Sequence, residues 1–176
     1  MRLKQKTIEM AMKRDIIFRG KNSKGVWVFG DLILVIEKES HIFYKTVEDI
    51  INKRISNETV VSETVGQYTG LTDKNGDKIF EGDILLLKIS DGSIRHFVVE
   101  WANENRILKS LKGFQHDNNP IRISGWCFNW EGNRLYPSVI AGVPDNERME
   151  IVGNVYDNPE LLKNNCRKGI KIKRKC

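Results

Sequence analysis

Residues 67–83 read Gln-Tyr-Thr-Gly-Leu-Thr-Asp-Lys-Asn-Gly-Asp-Lys-Ile-Phe-Glu-Gly-Asp, and residues 84–87 follow as Ile-Leu-Leu-Leu. Turn-forming residues here separate two extended, partly apolar segments. Asn75 and Gly76 both accept positive φ, which predicts a hairpin closed by a type I′ turn. Asp91-Gly92 predicts a second turn, joining residues 84–89 to residues 93–101. In that second strand Phe97, Val99 and Trp101 share one face, and His96, Val98 and Glu100 share the other.

Working outward, residues 15–19, 26–29 and 31–37 are rich in β-branched and aromatic side chains and predict strands, with residues 20–25 as a turn. Residues 41–45 continue the run as a hairpin partner. Thr46 stands three residues before Asp49, and Val47, Ile50, Ile51 and Ile55 follow at helical spacing, so a helix is expected there, fading by residues 56–57. Residues 60–65 and 67–69 return to extended structure. Residues 107–114 predict another strand, and residues 115–120 a polar loop. Trp126, Phe128 and Trp130 then alternate with Cys127 and Asn129. Residues 135–144 carry no clear pattern. Residues 149–156 predict a last strand, after which Asn158-Pro159 starts a short helix with Asn as N-cap. Residues 28–35 and 79–87 both place Gly-Asp before an apolar strand. Two related β units, or two hairpins obeying the same turn rules, would read alike. The pattern predicts a β-rich α+β domain, a small twisted or barrel-like sheet with one or two short helices.

Of the 176 residues, 29 are Lys or Arg and 23 are Asp or Glu, a formal charge of +6. The charge is unevenly placed. Residues 163–176 hold seven bases and no acid, and residues 1–14 hold five bases and one acid, leaving 17 bases and 22 acids between. Three segments follow: a basic N-terminal extension (1–14), a β-rich domain (15–162) with a sub-boundary near 58–64, and a basic C-terminal tail (163–176). The body is a poor general phosphate surface, so nucleic-acid affinity is expected in the tails. The three cysteines, Cys127, Cys166 and Cys176, form no metal or redox motif, and an odd count argues against a closed disulfide set. No apolar run reaches the ~18–20 residues that span a membrane, and no signal peptide is visible. An intracellular, soluble protein is expected.

Catalytic signals are absent from the sequence. His41, His96 and His116 belong to no ligand motif, and no nucleophile elbow or phosphate-binding glycine loop is present. Asp73, Asp77, Glu81 and Asp83 lie close together, but aspartates in turns ordinarily cap nearby N–H groups. No catalytic residue, metal or cofactor is expected, with an unrecognised hydrolase as the remote alternative. Two binding candidates remain. Arg167, Lys168, Lys171, Lys173, Arg174 and Lys175 in the tail suit nucleic acid or an acidic partner. Trp126, Phe128 and Trp130 suit base stacking or a proline-rich peptide, but their alternation favours a core face, with Trp101 and at least two of the three expected to be mostly buried.

Three blocks stand out together: Phe18-Arg-Gly with Trp27-Val-Phe-Gly-Asp-Leu; residues 63–84, centred on the opening hairpin; and Ile151-Val-Gly-Asn-Val-Tyr-Asp-Asn-Pro-Glu-Leu161. In this order they resemble the YopX family of phage and prophage proteins, over most of residues 16–162. The resemblance implies a phage accessory protein in a bacterial host cytoplasm, with an SH3-like β-rich domain, possible homo-oligomers and a host or phage protein as partner. It carries no catalytic residues. It also implies that translation starts at Met10 or Met12 as an alternative to Met1. Both charged ends and residues 46–61 depart from the family pattern. The expected role is a non-enzymatic binding module acting through protein contacts. The alternative is a nucleic-acid-binding protein using basic terminal arms.

Overall fold

The computed structural model describes residues 15–34, 40–44, 56–106, 121–140 and 142–163. The helix expected over residues 46–55, the strand over 107–114, the loop over 115–120, His116, residues 1–14 and residues 164–176 lie outside these residues. The chain divides into two compact units, one through Glu81 and one from Gly82. Residues 58–64 fall within the first. Both units are built from antiparallel strands, as the alternating pattern predicts.

The first unit contains β1 (Phe18–Lys21), β2 (Trp27–Leu34), β3 (Ser40–Tyr44), β4 (Ser56–Val60), β5 (Gly66–Thr72) and β6 (Lys78–Phe80). They form one sheet in the order β4-β3-β2-β1-β5-β6. Val28, Ile42 and Val60 make its core, with Phe18, Leu32, Tyr44 and Val65 packed on them. Gly30 is needed in the middle of β2 because a Cβ there would overlap the Phe43 carbonyl oxygen. A single bridge, Asn22 to Val60, links the end of β1 back to β4. The sheet thus coils, but among the described residues no continuous ladder closes it into a barrel.

The two hairpins β1–β2 and β5–β6 share one turn geometry. Gly25 N–H donates to the Asn22 carbonyl at 2.9 Å and Asn22 N–H to the Val26 carbonyl at 2.9 Å; Gly76 and Asp73, then Asp73 and Asp77, repeat this at 3.0 and 2.9 Å. Asn22 Oδ1 accepts from the N–H groups of Lys24 (3.0 Å) and Val26 (2.9 Å). Asp73 Oδ1 does the same for Asn75 (2.7 Å) and Asp77 (3.0 Å). Only the glycine takes positive φ, 77° at Gly25 and 86° at Gly76. The hairpin at Asn75-Gly76 is therefore real, but its turn is a tight turn followed by a left-handed glycine, not type I′. The reason is Asp73, whose carboxylate holds two N–H groups that a type I′ turn would aim elsewhere. The double-positive geometry occurs instead at Glu131-Gly132, where φ is 50° and 83°.

The second unit contains β7 (Asp83–Lys88), β8 (Ile94–Arg106), β9 (Ile121–Trp130), β10 (Asn133–Leu135) and β13 (Glu150–Asn154), ordered β10-β9-β8-β7-β13. A separate small hairpin pairs β11 (Val139–Ile140) with β12 (Val143–Pro144), in the stretch that carried no clear pattern. The strand after Asp91-Gly92 runs through Arg106, well past Trp101. The echo between residues 28–35 and 79–87 does not survive: Gly30 is inside a strand, whereas Gly82, at φ 81°, turns the chain from β6 into β7. The helix α1 (Glu160–Lys163) follows Pro159 as expected. Asn158 Oδ1, however, accepts from the Asn154 N–H (3.4 Å), while Asn154 Oδ1 closes the preceding turn on the N–H groups of Tyr156 (3.0 Å) and Asp157 (2.9 Å). No described helix is long and apolar enough to cross a membrane.

Candidate functional site

Register places Phe97, Val99 and Trp101 of β8 on the same face as Trp126, Phe128 and Trp130 of β9. The row is graded. Phe128 is fully buried, Trp126 and Trp130 are half-buried, and Trp101 is 51% exposed. Trp101 was expected inside, and strand length explains the difference. β7 pairs with β8 only between residues 94 and 98. Beyond that, β8 has β9 as its ladder partner, and Trp101 sits on this overhang. It packs edge-on against Trp126, with ring centroids 5.0 Å apart. At the other end of the row, Arg95 lies 4.3 Å over the Trp130 ring.

Phe128 also lines a cavity of about 710 Å³ with Leu87, Leu135 and Met149, while Lys88 and Arg148 supply charge at its wall. Ser138 and Asp145, both lining residues, clip the base of the β11–β12 hairpin: Asp145 N–H donates to the Ser138 carbonyl at 2.9 Å, and the Ser138 hydroxyl to Asp145 Oδ2 at 2.5 Å. Exposed Val139 and Val143 project from the hairpin itself. Nothing in the alternation of the sequence announced this cavity, because its lining comes from four separate stretches.

The opposite face of β8–β9 is polar. Arg134 Nε contacts Glu100 Oε1 at 2.7 Å and its Nη1 contacts Glu104 Oε2 at 3.4 Å, and Tyr136 donates to Glu104 at 3.2 Å. Burial works to raise the Glu100 pKa, but hydrogen bonds and the Arg134 charge prevail and hold it below the usual carboxylate range. Cys127 lies buried beside it, its thiol pushed up to about 11 by burial and then by the Glu100 charge. Such a thiol is not a nucleophile near neutral pH. The carboxylates singled out in sequence do not converge. Asp73 caps its turn, Asp83 is buried, and burial raises the Glu81 pKa against a backbone hydrogen bond from Gln67. Among the described residues no cluster of three or more His, Cys, Asp or Glu side chains has the makings of a metal site. Arg167, Lys168, Lys171, Lys173, Arg174 and Lys175 lie outside the described residues.

The first sheet carries an aromatic surface that sequence reading missed. Residues 27 and 29 of β2 face away from the Val28 core and pair across with residues 21 and 19 of β1. Lys21 Nζ lies 5.3 Å from the Trp27 ring, and Arg19 Cζ lies 4.6 Å from Trp27 and 5.0 Å from Phe80. Phe80 continues to Phe29 (5.5 Å) and Tyr68 (5.6 Å), and Lys78 sits 4.8 Å over Tyr68. Arg19, Tyr68 and Phe80 are buried, while Phe29 is 49% exposed. The signal was available in the Arg-x-Lys of β1 set against the Trp-x-Phe of β2. Reading it needed the strand register.

A solved structure of protein EF1440 from Enterococcus faecalis is similar over 85% of this chain and 99% of its own, at 19% identity and a TM-score of 0.44. No curated protein matches the chain. The family model described as YopX protein matches residues 4–163. That match spans nearly the whole sequence, and the chain belongs to the YopX family.

Proposed function

We propose that the chain is a phage or prophage accessory protein working as a non-enzymatic binding module, through protein contacts in the host cytoplasm. The observation that carries this reading is the cavity in the second unit, with Leu87, Phe128, Leu135 and Met149 in its lining beside the apolar β11–β12 hairpin. A partner segment with one apolar anchor suits such a wall, because buried apolar contact supplies affinity and a polar surround supplies register. The coiling of β1–β4 supports an SH3-like description of the first unit. The phage setting, the cytoplasm and a homo-oligomeric state belong to the same reading. The test compares full-length protein with Leu135→Glu and Val139→Asp as bait in nuclease-treated host lysate. A protein retained by the wild type and lost from both variants supports the reading. Identical captures from all three contradict it.

A second reading has its own observation, the seven bases and no acid of residues 163–176. It makes the ends electrostatic arms for nucleic acid. Binding would then weaken steeply with salt, by up to about 0.7–0.9 log units of affinity per log unit of salt for each phosphate contacted.

A further inference from the structure

We propose that the outer face of β2, where Trp27 and Phe29 stand beside Lys21 over the buried Arg19, binds single-stranded nucleic acid. The two rings lie on one side of the same strand, about 6.6 Å apart along it at ~3.3 Å per residue. Bases stack on exposed aromatic side chains without regard to sequence, since every base has a π-face. Phe29 is open to solvent, and Trp27 is partly so. Arg19 is clamped between Trp27 and Phe80, and its Nη2 donates to the Glu81 carbonyl at 3.1 Å. Its charge is thus fixed behind the rings, where a polyanion gains from it. Lys21 lies over Trp27 itself, and Lys24 is in the adjoining turn.

Charge also selects the class of polymer and its track. A proline-rich peptide likewise uses aromatic walls, but the three bases at the Trp27 end favour phosphates. Asp31, next on the same face after Phe29, repels them. The strand therefore runs from Phe29 toward Lys21 and Lys24, not toward Ile33. With two or three phosphates neutralised, the salt slope is about −1.4 to −2, at ~0.7 per phosphate on single strands. An arm using all seven tail bases would give about −5 on the same scale.

The probe is fluorescein-labelled oligothymidine, read by anisotropy across a salt series with full-length chains. A variant with Lys171, Lys173, Arg174 and Lys175 all changed to Ala removes most of the tail charge. This variant should still bind, with the shallow slope. Phe29→Ala and Lys21→Glu should each weaken binding about fivefold or more, the low end for loss of a base–ring stack, and Asp31→Asn should tighten it. Circular dichroism on each variant checks the fold. The proposal is overturned if the tail variant does not bind at low salt, or if Phe29→Ala and Lys21→Glu bind like the parent. It is also overturned if a proline-rich peptide binds in a Phe29-dependent manner and oligothymidine does not.

Discussion

The two sheets present the same raw material, aromatic residues at alternate positions, and use it in opposite ways. In the second unit the row Trp126, Phe128, Trp130 includes a fully buried ring, and exposure rises toward the overhang at Trp101. In the first unit the buried Phe80 ring is tied to Arg19 and the outermost ring, Phe29, is open. Alternation fixes which residues share a face. What covers that face is decided by partner strands and by the charges threaded between the rings.

The comparison breaks most directly at its two extremes. Phe128→Ala removes a fully buried ring and should cost ~3–5 kcal/mol in urea unfolding. Trp101→Ala loses an edge contact on an exposed overhang and should cost about 1 kcal/mol. Equal losses would show that the graded exposure is wrong.

Hairpin closure sharpens the contrast next. Both first-unit turns are fixed by a buried side chain, Asn22 or Asp73. At the β7–β8 turn of the second unit Gly92 N–H donates to the Ile89 carbonyl at 3.0 Å, and the side chain that caps it is the exposed Asp91, whose Oδ1 accepts from the Ser93 N–H at 2.8 Å. Asp73→Ala leaves two N–H groups without that acceptor and should cost ~1–3 kcal/mol. Asp73→Asn should cost less, because Asn22 already does the same work with an amide. If the two substitutions destabilise equally, the Oδ1 contacts are not what holds the turn.

Much of this fold was legible in the sequence, and the failures have physical causes. Strands around Asp91-Gly92 and the strand character of residues 67–87 followed from turn chemistry and β-branched runs. The type I′ turn was misplaced because Asn-Gly permits the geometry without compelling it, and Asp73 outcompeted it. Trp101 was misplaced because the extra length of β8 relative to β7 is a property of the pairing, not of the residues near Trp101. The cavity and the Arg19 ladder were invisible for a similar reason. Each assembles residues from separate stretches, brought together only by register.

Two smaller effects test the electrostatic side of the contrast. With its thiol at about 11, Cys127 in the second unit should resist iodoacetamide at pH 8 in the native state and react once unfolded. Rapid native labelling, read by peptide mass spectrometry, would show that burial and Glu100 do not protect it. In the first unit, burial raises the Glu81 pKa, so the folded state holds that proton more tightly than the unfolded chain. Stability from this group is present in acid and falls as pH rises through the raised pKa. Glu81→Gln should therefore be more stable than wild type at neutral pH, with the gap closing in acid. A gap independent of pH would contradict the assignment.

The most direct measurement is solvent paramagnetic relaxation of the aromatic ring protons, recorded with a soluble gadolinium chelate in one NMR series. The account predicts strong broadening at Phe29 and Trp101, and little at Phe128, Phe97 and Phe80. Phe128 broadening as strongly as Phe29 would contradict it, because the two faces would then be equally open.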